Sequence, residues 1–160
     1  MNTILAPIDF SDATSSVIEA ATTLARALRA KIVLAHVIRP ATVVTEFGPV
    51  LEGLASAAEY SAVENLGHWK TELRNDGLDV EASQLYGDPA ACICDEARRI
   101  SADYIVIGSH GHRALYDLIM GGTASQLLRK APCPVLIVPV MELIRPAPDI
   151  PAARAEKIPS

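Results

Sequence analysis

Short apolar runs rich in β-branched residues recur along the chain, at Thr3 to Ile8, Lys31 to Ile38, Val80 to Tyr86, Tyr104 to Ile107 and Pro134 to Val138. The stretches between them carry helical spacing instead. Ala13, Val17, Ala20, Leu24 and Leu28 fall on one helical stripe, as do Leu51, Leu54, Ala58, Ala62, Leu66, Trp69 and Leu73. A third helix is expected from Pro89, whose missing N–H is no loss in a first turn, with Ala90, Ile93, Ala97 and Ile100 turned inward. A fourth covers Thr123 to Lys130. Strands alternating with helices call for a parallel sheet covered on both faces, because right-handed crossovers place the helices there and near-continuous apolar strands need burial. The expected class is α/β, doubly wound, with five strands.

A chain of 160 residues can bury a core as one domain. Aromatic residues are only 4%, so that core is aliphatic. A net charge of −5 argues against a broad nucleic-acid surface, which needs clustered excess Lys and Arg. A local phosphate pocket stays open. No window has the length of a membrane span, and the N-terminus lacks the pattern of a secretory leader, so a cytoplasmic protein with no membrane partner is expected. Cys92, Cys94 and Cys133 are too few for a disulfide framework, and the first two, being two apart on a helix, point to different faces. After Val140 four prolines and small residues replace any periodic pattern, which divides the chain into a domain over 1–141 and a Pro-rich tail over 142–160.

The stretch GSHGHRALYDLIMGGTASQLLRK, residues 108–130, carries the chemistry. In an open parallel sheet, ligands gather beyond the carboxyl ends of the strands, where strand order reverses. Gly108 follows the fourth apolar run, and Gly108 and Gly111 lack Cβ atoms, which lets the backbone turn and come close to a bound group. Gly121 and Gly122 stand at the mouth of the fourth helix, whose first turn leaves backbone N–H groups without partners and holds the positive end of the dipole. The expectation is an anion cradle. It is neither the Rossmann glycine fingerprint nor a P-loop.

Taken with ILAPIDFS at the N-terminus, LAHVI in the second strand, YGDPAACICDEA after the third and APCPVLIVP near the end, this segment resembles the universal stress protein family over about residues 2–140. The resemblance implies a Rossmann-like sheet in the order 3-2-1-4-5. It also implies a stress-response regulator binding an adenine nucleotide, ATP foremost, with Mg²⁺ or Mn²⁺ carried through the phosphates as an option. The family's nucleotide-binding branch shows G-x2-G-x9-G followed by Ser or Thr, and Gly108, Gly111 and Gly121 match. Gly122 stands where the hydroxyl belongs, with Thr123 one place later and Ala124 beyond it. A lost charge-assisted contact of about 1.5–3 kcal/mol would weaken such a site. By the same resemblance Asp9 lies near ribose or adenine, Val37 meets adenine through its backbone, and Pro7 and Ile8 form the floor. Asp9 also suits a cap on the following helix, a role open to Ser11 as well. His112 and Arg113 lie inside the loop, where Arg113 is the one cation able to reach a phosphate.

Other chemistries fare worse. His110 and His112 have only Asp117 nearby to complete a metal set, so no metal held by protein ligands is expected. Ser109 beside His110 lacks the geometry of a hydrolase pair and the nucleophile elbow. Histidines following the first strand would suggest a nucleotidyltransferase, but these follow the fourth. His36 and His68 read as structural. Nothing in the segment supplies a general base, so an enzyme is disfavoured. The alternatives are a dimeric interaction module with an empty pocket and a slow ATP hydrolase. Pro134 to Val138, an apolar strand at the end of the core, needs its edge covered, and the resemblance implies a homodimer through it.

Overall fold

The computed structural model describes residues 1–39, 52–109 and 122–139, with the side chains of 52–56 and 58 outside the description. Strands β1 (Thr3–Pro7), β2 (Lys31–Ile38), β3 (Val80–Tyr86), β4 (Tyr104–Ser109) and β5 (Val135–Pro139) alternate with helices α1 (Ala13–Leu28), α2 (Glu52–Asn75), α3 (Pro89–Arg99) and α4 (Thr123–Lys130). All strand pairs are parallel, in the order β3-β2-β1-β4-β5. The chain is therefore a doubly wound α/β fold of the order expected.

Because successive side chains on a strand face opposite ways, the sheet separates two apolar interiors. Ile4, Ile32, Leu34 and Val106 pack with Val17, Ile18 and Ala21 of α1 and Leu66 and Leu73 of α2 on one face. Leu5, Val33, Ile105 and Ile107 pack with Ile93 and Ala97 of α3 and Leu127 of α4 on the other. The aliphatic core follows from this composition.

Several boundaries and faces differ from the sequence reading. β1 stops at Pro7, although the Ile8 N–H still donates to the Ala35 carbonyl at 2.8 Å. β4 continues through Gly108 and Ser109, which pair with Val138 and Pro139. β5 begins at Val135, and Pro134 contributes only its carbonyl, accepting from the Ile105 N–H at 3.0 Å. The buried stripe of α1 is turned by about one position: Val17, Ile18, Ala21 and Ala25 are deepest, while Ala20, Leu24 and Leu28 sit on the flank. On α2, Ala62, Leu66 and Leu73 are buried and Trp69 packs beside them, whereas Leu51 and the side chains of Leu54 and Ala58 lie outside the described residues. α3 begins as expected, with Pro89 in its first turn and a cap that the sequence reading overlooked: Asp88 Oδ2 accepts from the Ala91 N–H at 3.0 Å. The tail beyond Val140 also lies outside the described residues.

Candidate ligand cleft at the strand ends

β1 lies between β2 and β4, so the chain leaves it toward one side of the sheet and later returns to the other. In such sheets a crevice opens beyond the carboxyl ends at that reversal. A cleft of about 530 Å³ lies there, within the range of small-molecule pockets. Pro7, Ile8 and Asp9 come to it from β1, His36, Val37 and Arg39 from β2, and Ile107, Gly108 and Ser109 from β4. Ala13, Thr14 and Val17 of α1 form one wall, while Ile93 of α3 and Leu127 of α4 contribute to the other. Gly122, Thr123 and Ala124 bring the N-terminus of α4 to its edge.

Of the residues singled out by sequence, Pro7, Ile8, Asp9, Val37, Gly108, Gly122, Thr123 and Ala124 thus share one cleft. Gly111, His112, Arg113 and Gly121 lie outside the described residues, as do His110 and Asp117. Arg39 and Thr14 were missed. No local pattern marks Arg39, which reaches the cleft only because β2 ends there. Thr14 carried a faint signal, a hydroxyl in the first turn of the helix that follows the Asp9 segment.

The β1–α1 connection is tightly organised. Asp9 Oδ1 accepts from the Ser11 N–H at 3.1 Å and from the Ser11 hydroxyl at 2.6 Å. Ser11 Oγ in turn accepts from the Ala13 N–H at 3.3 Å, and the Ser11 carbonyl accepts from the Thr14 N–H at 2.9 Å. The N-cap of α1 is Asp12, whose side chain makes no capping bond, so neither Ser11 nor Asp9 is the cap itself: Ser11 Oγ reaches the Ala13 N–H and Asp9 holds Ser11. Phe10 takes a left-handed backbone, φ 61°, uncommon for a bulky residue. Its ring stacks on the imidazole of His36 with centroids 4.6 Å apart. His36 Nδ1 lies 2.8 Å from the Ile8 carbonyl, which can only accept, so Nδ1 carries a proton and donates. His36 is the satisfied strand-end histidine expected, and it ties β2 to the floor of the cleft.

Gly108 requires a correction. It sits within β4 rather than after it, and a Cβ there would lie 2.8 Å from Ala13 Cβ and 3.2 Å from Val17 Cγ2. Close packing of α1 against β4 demands the glycine, whatever binds above. Gly122 is the N-cap of α4, with φ −77° and ψ 177° and no side chain to cap. Its carbonyl accepts from the Gln126 N–H at 3.2 Å, while Thr123, Ala124 and Ser125 precede the first residue able to make an intrahelical bond. A positive helix end therefore faces the cleft.

Cys94 is buried and Cys92 partly so, on different faces of α3, and burial raises the pKa of Cys92, Cys94 and Cys133 above that of an ordinary thiol. Among the described residues no three His, Cys, Asp or Glu side chains are grouped to hold a metal ion, and no helix is long and apolar enough to cross a membrane.

Fold and cleft together define a doubly wound α/β domain of the kind that binds small ligands at its topological switch point. Residues 1–139 match the model of the universal stress protein family, and the chain belongs to that family. It is 28% identical over 145 residues to universal stress protein YxiE of Bacillus subtilis, an alignment covering 86% of this chain and 98% of that protein. Universal stress protein UspA from Lactobacillus plantarum superposes with a TM-score of 0.73 at 26% identity, covering 86% of this chain and 97% of that one. The fold is shared with a universal stress protein in complex with cAMP, at TM-score 0.66 and 22% identity over 88% of this chain and 98% of that one. It is shared also with a universal stress protein from Archaeoglobus fulgidus in complex with dAMP, at TM-score 0.64 and 22% identity over 86% and 98%.

Proposed function

We propose that the cleft binds an adenine nucleotide, ATP in the first place, and that the protein is a nucleotide-responsive regulator in the stress response. The observation that carries this reading is the meeting of Asp9, Val37 and the open N-terminus of α4 on one cleft. Neighbouring parallel strands lie about 4.8 Å apart, so the ends of β2 and β4, with β1 between them, are separated by roughly 10 Å. That span suits a nucleoside whose base lies toward Val37 and whose phosphates lie toward α4. Two structural relatives in complex with cAMP and dAMP support the class of ligand. Asp9 would take a ribose hydroxyl, and the N–H groups of Thr123 and Ala124 would take phosphate oxygens. Arg39, at the end of β2, adds a cation to the lining. A divalent cation, if present, would enter with the phosphates.

β5 favours a second element of the reading, assembly as a homodimer. Among the described residues it lies at the margin of the sheet, paired with β4 alone, and Leu136 is 43% exposed. A strand edge of this kind calls for a partner.

One preparation tests both elements. Freshly purified protein is denatured, and any released nucleotide is identified by chromatography and mass spectrometry. Nucleotide-free protein is then titrated with ATP and sedimented at micromolar concentration. Released adenine nucleotide or saturable binding, with a dimer mass, is the expected result. No nucleotide and no saturable binding would leave the interaction module in its place, and a monomer mass would remove the dimer.

A further inference from the structure

The hydroxyl missing at Gly122 has a counterpart on the opposite wall of the cleft. Thr14, in the first turn of α1, is 5% exposed and lines the cleft, and among the described residues its Oγ1 has no hydrogen-bond partner. Helical threonines usually satisfy themselves by donating to a carbonyl one turn back. Thr23 does so to Glu19 at 2.9 Å and Thr71 to Gly67 at 2.8 Å. For Thr14 the residue one turn back is Phe10, whose left-handed backbone takes it out of the helical path. The Ser11 carbonyl takes the Thr14 N–H at 2.9 Å but not the Thr14 hydroxyl. Thr22 shares the lack of a partner but does not line the cleft.

We propose that the Thr14 hydroxyl is a phosphate-binding group of this cleft, donating to a phosphate oxygen of the nucleotide from the α1 wall. The inference rests on the nucleotide reading above. Three observations carry it: a buried hydroxyl with unused donor capacity, the place of Thr14 among the residues that line the cleft, and its position at the positive end of a sixteen-residue helix. The backbone N–H groups of Ala13 and Thr14 are already occupied by Ser11, so the side chain rather than the main chain is the donor on this wall. α1 packs on one face of the sheet and α4 on the other. Phosphate would thus be gripped from both sides, by a hydroxyl at 14 and by backbone at 122–124.

The test uses the full chain as wild type, Thr14→Val and Thr14→Ser, freed of nucleotide and titrated with ATP, AMP and adenosine, with thermal melting of each ligand-free protein alongside. Valine keeps the shape and removes the hydroxyl. Thr14→Val is expected to weaken ATP and AMP binding by roughly tenfold or more, to leave adenosine binding unchanged, and to melt no lower than wild type, since no hydrogen bond is lost from the fold. Thr14→Ser is expected to bind ATP close to wild type. Equal ATP affinity for wild type and Thr14→Val overturns the proposal while the nucleotide reading stands. An equal loss for adenosine overturns the phosphate assignment. A lower melting temperature for Thr14→Val, restored in Thr14→Ser, makes the hydroxyl a structural group and overturns it as well. A wild type that binds none of the three ligands removes the nucleotide reading and this inference together.

Discussion

At the amino ends of the strands, Thr3 donates its N–H to the Asp103 carboxylate at 2.7 Å and accepts from the Asp103 N–H at 2.8 Å. The Asn2 carbonyl takes the Lys31 N–H at 2.9 Å, Arg74 Nε donates to the Val80 carbonyl at 2.9 Å, and Lys31 pairs with Glu81. At the carboxyl ends the strands part around a cleft, Phe10 holds a left-handed backbone, Thr14 Oγ1 is without a partner among the described residues, and α4 starts on a glycine. Both margins carry internal hydrogen bonds, but among the described residues the carboxyl margin also holds the partnerless Thr14 hydroxyl and the first turn of α4. The margin with hydrogen-bonding capacity left over is where a ligand gains most.

Gly108 is the sharpest exception, because it belongs to the binding margin by place and to the scaffold by packing. Gly108→Ala puts a methyl group 2.8 Å from Ala13 Cβ, so α1 must shift on β4. A loss of about 2 kcal/mol is expected for the ligand-free protein, read as a lower urea midpoint at unchanged slope. Unaltered stability with weakened nucleotide binding alone would instead assign Gly108 to the ligand.

A smaller effect is expected remote from the cleft. Glu96 is 4% exposed on α3, and both its oxygens accept from Arg99 at 2.7 Å. The Arg99 guanidinium, aided by Ser83, holds the Glu96 carboxyl below the usual carboxylate range. A depressed native pKa contributes stability above the unfolded value and loses it as pH falls through the native one. Arg99→Ala should therefore lower stability at pH 7, by a small amount because Arg99 is largely exposed. The two proteins should converge in acid below the ordinary Glu range. A gap independent of pH in denaturant titrations would mean that Arg99 acts through packing instead.

The smallest effect on stability belongs to Gly122→Ser. The backbone there suits a serine N-cap, so a gain of a few tenths of a kcal/mol, about 0.3, is expected in melting experiments. Calorimetric titration should show tighter nucleotide binding as well. A gain in stability with unchanged affinity would mean that Thr123 or the backbone already serves the phosphate.

Much of the scaffold is legible in the sequence: Lys31 to Ile38 is an apolar run rich in β-branched residues and coincides with β2, while β3 matches Val80 to Tyr86 although Glu81, Ser83 and Gln84 interrupt its apolar character. Pro89 likewise marks the start of α3, and Thr123 to Lys130 matches α4. What depends on packing between elements is not written locally. The reason for glycine at 108 is a methyl group of Ala13, nearly a hundred residues earlier. The stripe on α1 is turned because small alanines, Ala21 and Ala25, let the helix sit closer than Leu24 and Leu28 allow. The family resemblance brings Asp9 and Val37 into view and the glycine spacing brings in Gly122, whereas Arg39, and Thr14 beyond its faint signal, acquire meaning only once three strand ends share a rim.

The partition of the interior by the sheet bears on how such a domain would respond to occupancy. α1 and α2 rest on one apolar cluster, α3 and α4 on the other, and the strands divide them. The cleft is a place where walls from both clusters meet across the rim. A molecule seated there would touch both walls at once, and by binding only the folded arrangement it would stabilise the packing on both faces together.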